Sequence, residues 1–239
     1  MTKILLIIPA YNESEGILHT VAKVVAYQKK CTYSLDYLVI NDGSTDNEEA
    51  VLRENGIPHI GLVANLGIGG AVQAGYRFAL QNDYDIAIQF DGDGQHDIES
   101  ISQLIEPILA DRADFVVGSR FVADSPSDFK SSFARRAGIR FLSGLTKLLS
   151  GFRVKDITSG YRAANRKVIE QFVAYYPSKY PEPESYILLV KQQTRIQEVG
   201  VNMFERSAGV SSIRIWDSIG YMIGVSSALL IAGLSRRRK

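Results

Sequence analysis

Ile86-Ala87-Ile88-Gln89-Phe90-Asp91-Gly92-Asp93-Gly94-Gln95-His96 is the stretch whose reading decides the fold. A short apolar run that stops at two carboxylates, with glycine between them, reads as a buried strand presenting acids at its C-terminal edge. In an α/β sheet that edge is where ligands bind. Two carboxylates and an amide are hard oxygen ligands, suited to Mg²⁺ or Mn²⁺ held jointly with a diphosphate. The plain alternative is a surface turn rich in Asp and Gly. A calcium loop is excluded, because the places that need Gly and Glu hold His96 and Ser102.

Outward from this stretch the pattern alternates. Lys3–Ile8, Leu35–Ile40, His59–Val63 and Phe115–Gly118 are further apolar runs expected as strands, and Arg195–Phe204 is a last one. Between them lie helical periodicities. Ser14 is expected to cap a helix with Ile17, Leu18, Val21, Val24 and Val25 on its apolar face. Thr45 and Glu48 have the spacing of a capping box. Helices are also expected over about 69–82, 99–110 and 135–149, and from an Asn165 cap through Val173. Residues 123–132 are polar and aperiodic, and read as a loop able to move over the site. Tyr175–Glu184 holds three prolines and reads as irregular. Alternating strands and helices with short connections predict an α/β fold, a mainly parallel, Rossmann-like sheet covered on both faces.

The chain has 239 residues and a formal net charge of +1, which suits one domain with a short appendage and gives no global field for nucleic acid. Cys31 is the only cysteine, so a disulfide framework and a cysteine zinc site are excluded, in keeping with a reducing cytoplasm. No signal peptide is expected before the first strand. Basic residues cluster at Arg135, Arg136 and Arg140 and at Arg236–Lys239.

Three further motifs follow strand ends or lie downstream of Asp91: Pro9-Ala10-Tyr11-Asn12-Glu13, Asn41-Asp42-Gly43-Ser44-Thr45-Asp46 and Asp156-Ile157-Thr158-Ser159-Gly160-Tyr161-Arg162. With Asp91-Gly92-Asp93, over roughly residues 3 to 213, they resemble the inverting family 2 glycosyltransferases of GT-A fold. The nearest resemblance is to the polyprenyl-phosphate hexosyltransferase branch, the relatives of dolichol-phosphate mannose synthase. The resemblance implies Asp93 as the principal metal ligand, with Asp91 and Gln95 completing the set around Mg²⁺ or Mn²⁺. It implies a nucleotide pocket of Pro9, Tyr11, Glu13, Asp42 and Asp91. Arg120 is expected to face phosphate oxygens. Asp156 and Arg162 are expected on the acceptor side, Asp156 near the sugar or holding Arg162, against the competing reading of a structural ion pair. The chain departs from the family's Asp-Asp-Gly-Ser at Asn41, and has Ile68 where many relatives carry Lys. The glycine-rich run 65–71 is read as the opening of a helix, not a dinucleotide fingerprint, since Val72 stands where a third glycine is needed.

The acceptor follows from what is missing. Family members that glycosylate a hydroxyl need a general base, often in a Glu-Asp pair. The corresponding region here is Tyr180-Pro181-Glu182-Pro183-Glu184, without that pair. A lipid phosphate is already anionic and needs cations instead. Arg136, Arg206 and Ser212 are the candidates, and Arg206-Ser207-Ala208-Gly209-Val210-Ser211 resembles the Arg-x-x-Gly-x-Ser segment of that branch. The expected reaction is inverting transfer of one hexose or N-acetylhexosamine, from UDP-glucose or UDP-N-acetylglucosamine by preference, to polyprenyl (undecaprenyl) phosphate. The alternatives are a soluble family 2 enzyme with a saccharide acceptor and a non-catalytic nucleotide-sugar binding protein.

Residues 1–213 are read as the catalytic domain and 214–239 as an apolar or amphipathic helix with a basic tail. Ile219–Leu234 would span roughly 24 Å as a helix, short of a hydrocarbon core of about 30 Å. It is expected to lie in the membrane interface or pack on a partner, peripheral to the cytoplasmic face, with a buried core helix as the alternative. A small integral membrane protein is an expected partner, and the oligomeric state is left open.

Overall fold

Lys3–Ala10 forms the first strand, β1, and its alternation builds both layers of the core. Leu5 and Ile7 point into one apolar cluster, and Ile4, Leu6 and Ile8 into the other. A strand apolar on both faces must be central and covered twice. The structure is a computed structural model that describes residues 2–92, 94–122, 133–204 and 215–235. Asp93, the 123–132 segment, Arg206 and Ser212 with their surrounding motif, and the Arg236–Lys239 tail lie outside the described residues.

The remaining elements follow in order: α1 (Ile17–Gln28), β2 (Ser34–Asn41), α2 (Glu48–Glu54), β3 (His59–Gly61), α3 (Gly67–Gln81), β4 (Ile86–Gln89), α4 (Ile101–Leu109), β5 (Phe115–Ser119), α5 (Phe133–Ser150), β6 (Arg162–Asn165), α6 (Arg166–Ala174), α7 (Pro181–Lys191), β7 (Ile196–Gly200) and α8 (Ile215–Leu234). The sheet order is β3-β2-β1-β4-β6-β5-β7. All pairings are parallel except those of β6, which runs antiparallel to β4 and β5. Helices α1, α2 and α4 supply one apolar layer, and α3, α5, α6, α7 and α8 the other.

Several local expectations change. Ser14 is not a helix cap. Its N–H donates to Asp46, and Gly16 precedes α1 without a side-chain cap. Thr45 and Glu48 make no capping box, because Glu48 turns inward and accepts from the Glu13 N–H and the Ser44 hydroxyl. Asn165 does cap α6, accepting from the Val168 N–H at 3.1 Å. Tyr175–Glu184 is not wholly irregular: α7 starts at Pro181, whose fixed φ suits a first helical turn, with Glu182 and Glu184 at the positive end of the dipole.

The last helix shares its core with α5 and α7. Val225 and Leu229 are fully buried, and Lys191 Nζ donates to the carbonyls of Gly233 and Ser235 at 2.9 and 2.6 Å. So α8 is no free-standing appendage, although its other face stays exposed. Gly224 serves packing inside the chain, where a Cβ would strike the Tyr180 hydroxyl. No helix among the described residues is long and apolar enough to cross a membrane.

Candidate active site

The register of the sheet gathers the motifs at one edge. Ala10 pairs with Asn41, and Ile7 with Gln89, so the loops after β1, β2 and β4 leave side by side. Because β6 is antiparallel, its first residue, Arg162, sits opposite Gln89 at that same edge. The β5 exit at Ser119–Arg120 lies two strands from β4, across β6.

The loops after β1 and β2 are sewn together. Asn12 Oδ1 accepts from the N–H groups of Thr45 and Asp46 at 2.8 and 3.2 Å, and the Asn12 N–H donates to Ser44 Oγ at 3.0 Å. Pro9 is buried in β1, whereas Tyr11 is 44% exposed and able to meet a ligand. Asp42 is buried and accepts from the Leu66 N–H at 2.7 Å, at the start of α3. Desolvation raises its pKa, opposed by the bonds from Leu66 and Gly67. Gly43 has φ +66°, and a Cβ there would lie 2.7 Å from the Ala64 carbonyl carbon, so only glycine lets the two segments meet.

Asn41 is explained by its neighbour. Its amide donates to Glu49 Oε2 at 2.9 Å and its carbonyl accepts from the Ser44 N–H at 3.0 Å. The Asn41 amide, with help from Arg53 and His59, holds the Glu49 carboxyl below its ordinary pKa. An aspartate at 41 would set two carboxylates against each other. The glycines of α3 are packing glycines: a Cβ on Gly69 would strike the Pro177 carbonyl oxygen at 2.3 Å, and one on Gly75 would strike Ile7 at 2.3 Å. No dinucleotide turn is needed to account for them.

Asp91 is one-third exposed at the end of β4. Its Oδ1 accepts from Gln89 Nε2 at 3.2 Å, and its N–H donates to His96 Nδ1 at 3.1 Å. His96 stacks on Tyr161 at 4.5 Å, and Phe90 meets both rings edge-on. The Tyr161 hydroxyl donates to the Asp97 carbonyl at 3.0 Å, and burial lifts its pKa well above the usual value. This aromatic trio supports the acidic loop from below. The 156–161 turn closes over it so tightly that a Cβ on Gly160 would lie 2.6 Å from Asp91 Oδ2. The Gln95 carbonyl accepts from the Phe204 N–H at 2.8 Å, and His96 bridges to Met203. The chain that leads to Arg206 is therefore anchored beside the acidic loop.

Asp156 grips Arg120, not Arg162. The contact is bidentate, with Nε and Nη2 each 2.7 Å from a carboxylate oxygen, and Asp156 also accepts from the Arg120 N–H at 3.1 Å. Both side chains are buried. Glu198 holds the backbone of this turn, accepting from the Lys155 and Asp156 N–H groups at 2.8 and 2.9 Å, and burial raises its pKa. Arg162 has no exposed surface. It donates to the Ser159 carbonyl at 2.6 Å, to Ser185 Oγ at 2.7 Å and to the Glu182 carbonyl at 3.0 Å, and lies 5.0 Å over the Tyr186 ring. It ties the first turn of α7 to the 156–161 turn and so positions groups that themselves reach the edge.

Two residues escaped the sequence reading. Glu198 looked like an ordinary strand residue. Glu182 hydrogen-bonds Gln89 and feels both Arg162 and Asp91, and desolvation raises its pKa. Its only signal was the Pro-Glu-Pro-Glu helix start. Arg136 is exposed on α5 and lines a cavity with Phe121 and Lys155, the chain neighbours of Arg120 and Asp156. Among the described residues no group of three or more His, Cys, Asp or Glu forms a metal cage.

Glycosyl transferase family 2 matches residues 5–173. A UDP-N-acetylglucosamine–dolichyl-phosphate N-acetylglucosaminyltransferase of Methanococcus voltae is 32% identical over 218 residues, covering 83% of this chain and 84% of that protein. A polyprenol monophosphomannose synthase of Mycolicibacterium smegmatis is 29% identical over 224 residues, covering 87% and 80%. The structure is similar to that of glucosyl-3-phosphoglycerate synthase from Mycobacterium tuberculosis, solved with Mn²⁺, UDP and glucosyl-3-phosphoglycerate, at a TM-score of 0.69 and 19% identity over 97% of this chain and 80% of that one. That likeness establishes the GT-A-like fold. With β1, β2 and β4 delivering the motifs to one edge and the family match spanning them, this chain belongs to glycosyl transferase family 2, is a glycosyltransferase, and resembles the polyprenyl-phosphate branch of that family.

Proposed function

We propose that this glycosyltransferase moves one hexose or N-acetylhexosamine, with inversion, from a nucleotide diphosphate sugar to the phosphate of a polyprenyl lipid. UDP-N-acetylglucosamine and UDP-glucose are the favoured donors. The observation that carries the acceptor assignment is the tie between Phe204 and Gln95, which anchors the chain entering the Arg206 segment beside the acidic loop. A donor diphosphate and an acceptor phosphate must approach each other, and cations are needed where they do. Similarity to relatives whose named acceptors are dolichyl and undecaprenyl phosphates supports the same reading.

The nucleotide is assigned to Tyr11, Glu13 and the pocket built by Pro9 and Asp42, with Asp91 at its diphosphate end. The metal is assigned to Asp91, Asp93 and Gln95. The donor set fits Mg²⁺ or Mn²⁺: hard oxygens, one a carboxylate kept accessible because Gly160 has no side chain. A bound divalent cation stabilises the negative charge that develops on the leaving diphosphate. The Arg120–Asp156 pair and Arg162 hold the turn that places Asp91, and Arg136, Arg206 and Ser212 are assigned to the acceptor phosphate. The enzyme works peripherally at the cytoplasmic membrane face, with a small membrane protein as a candidate partner.

A saccharide acceptor is the second reading. Glu182, a carboxyl of raised pKa within the field of Asp91, favours it as a proton acceptor. Membranes plus protein, incubated with a panel of radiolabelled nucleotide sugars, decide between them. Label in a mild-acid-labile polyprenyl phosphate sugar supports the first reading, and label only in saccharide supports the second.

A further inference from the structure

Helix α5 and the segment after it carry a cationic groove of which the chemistry above uses Arg136 alone. A cavity of about 410 Å³ is lined by Arg136, Arg140 and Lys147 of α5 and by Arg153 and Lys155 beyond it. All five are exposed. Among the described residues none of them is paired with a carboxylate, and the sequence holds no Asp or Glu from 129 to 155. Positions 136, 140 and 147 fall on one stripe of a helix. Such an unneutralised stripe is costly to maintain without an anionic partner, because like charges repel.

Apolar side chains flank the stripe. On α5, Phe141 and Leu148 are 57% and 81% exposed. On α8, Ile223, Ile231 and Leu234 are 64%, 70% and 80% exposed, opposite the buried Val225 and Leu229. The two helices lie side by side, since a Cβ on Gly138 would meet Met222 Sδ at 3.4 Å and one on Gly233 would meet Leu149 at 3.1 Å. Cations beside outward apolar side chains are what a surface needs to sit at a charged headgroup layer with its apolar groups in the acyl boundary.

We propose that the α5/α8 face docks on an anionic phospholipid surface, with Arg140, Lys147, Arg153 and Lys155 of the groove taking lipid phosphates. This goes beyond the reaction and rests on the proposed function only in that a membrane lipid would then be within reach. It adds a membrane contact to the C-terminal basic tail expected from the sequence.

The test is co-sedimentation of the full chain with vesicles of phosphatidylcholine alone or mixed with phosphatidylglycerol. The wild type should bind only the mixed vesicles, less at high salt. The double variant Lys147→Gln/Arg153→Gln should bind them roughly 30-fold more weakly, at about a tenfold loss for every 1.4 kcal/mol and about 1 kcal/mol per cation. Neither residue belongs to the proposed chemistry, so turnover of a short soluble polyprenyl phosphate should be unchanged. Failure of that turnover in the wild type would count against the proposed function, not against docking. Lys29→Gln/Arg77→Gln, exposed and outside the groove, should retain binding. Leu148→Ser/Leu234→Ser should remove the salt-resistant remainder. The proposal is overturned if the wild type ignores anionic vesicles, if the groove and control pairs lose binding equally, or if inorganic phosphate abolishes vesicle binding at unchanged ionic strength, which would make the groove a phosphate subsite.

Discussion

Gly160→Ala isolates the geometry of the acidic loop. Gly160 does not have a positive φ, so an alanine there meets no backbone penalty. Its Cβ would lie 2.6 and 3.1 Å from the two Asp91 carboxylate oxygens and 3.0 Å from Gln89 Nε2. Ordinary contact at about 3.4 Å requires Asp91 to retreat by about 0.8 Å, and displacements approaching 1 Å at a reacting centre cost about 100-fold. We expect kcat to fall about 10- to 100-fold, equivalent to about 1.4–2.7 kcal/mol. Overpacking should cost the fold no more than about 1–3 kcal/mol, so the protein remains folded. The assay is transfer to a soluble polyprenyl phosphate over a Mn²⁺ titration, with thermal melting alongside. Gly144→Ala on α5, where a Cβ meets nothing within 4 Å, is the control and should retain full activity. In an Asp91→Ala background, Gly160→Ala should add little, because the group it displaces is gone. Wild-type kcat in Gly160→Ala, or additive losses in the double variant, would refute the reasoning.

Asp93→Asn should lower turnover at least ~100-fold with melting unchanged, since it removes charge from the assigned metal set and not core packing; near-normal rates at saturating Mn²⁺ would remove it from that set. Arg206→Ala should raise the acceptor KM roughly 10- to 150-fold and leave the donor KM alone, the scale of one charge-assisted phosphate contact. Asp156→Ala should destabilise the fold by about 3–5 kcal/mol, because it removes the carboxylate that neutralises the buried Arg120 guanidinium; calorimetry showing no loss would contradict the buried-pair account. Asp114 is held down to about 2 chiefly by its hydrogen bond with Arg195, below the ordinary 3.8. A lowered folded pKa stabilises the protein above about pH 4 and loses that stabilisation as pH falls toward 2. Asp114→Asn should therefore flatten acid unfolding between pH 4 and 2 with activity at neutral pH intact.

The parallel half of the sheet was legible because β1, β2, β4 and β5 each hold a run of buried apolar residues, Leu38–Ile40 in β2 and Ile86–Ile88 in β4, and burial on both faces explains such runs. The strand β6 was not. Arg162-Ala163-Ala164-Asn165 has two small apolar residues and no β-branched one, because Ala163 and Ala164 are fully buried between two neighbouring strands and two helical layers. Helix α7 was hidden by prolines that mark a first helical turn as readily as a coil. The acids and arginines of the site were legible as motifs, but their pairing was not: whether Asp156 meets Arg120 or Arg162 depends on β6 running antiparallel, which puts Arg162 behind the turn and leaves Arg120 at the β5 exit. Glu182 and Glu198 act through backbone groups and neighbouring side chains that only the tertiary structure brings to them.

The bracket between Asn41 and Glu49 constrains how this chain can drift. An aspartate at 41, reached by a single-base change from asparagine, would bring a second carboxylate to the place from which the Asn41 amide now donates to Glu49 at 2.9 Å, and would remove the hydrogen bond that chiefly lowers the Glu49 pKa. Reversion toward the family's acidic pair is therefore closed unless position 49 changes first. Homologues with Asp at the first place should carry a neutral or basic residue at the second position of α2, and those with Asn should tolerate Glu there. Such paired exchange would tie the identity of position 41 to that of position 49 through their mutual hydrogen bond.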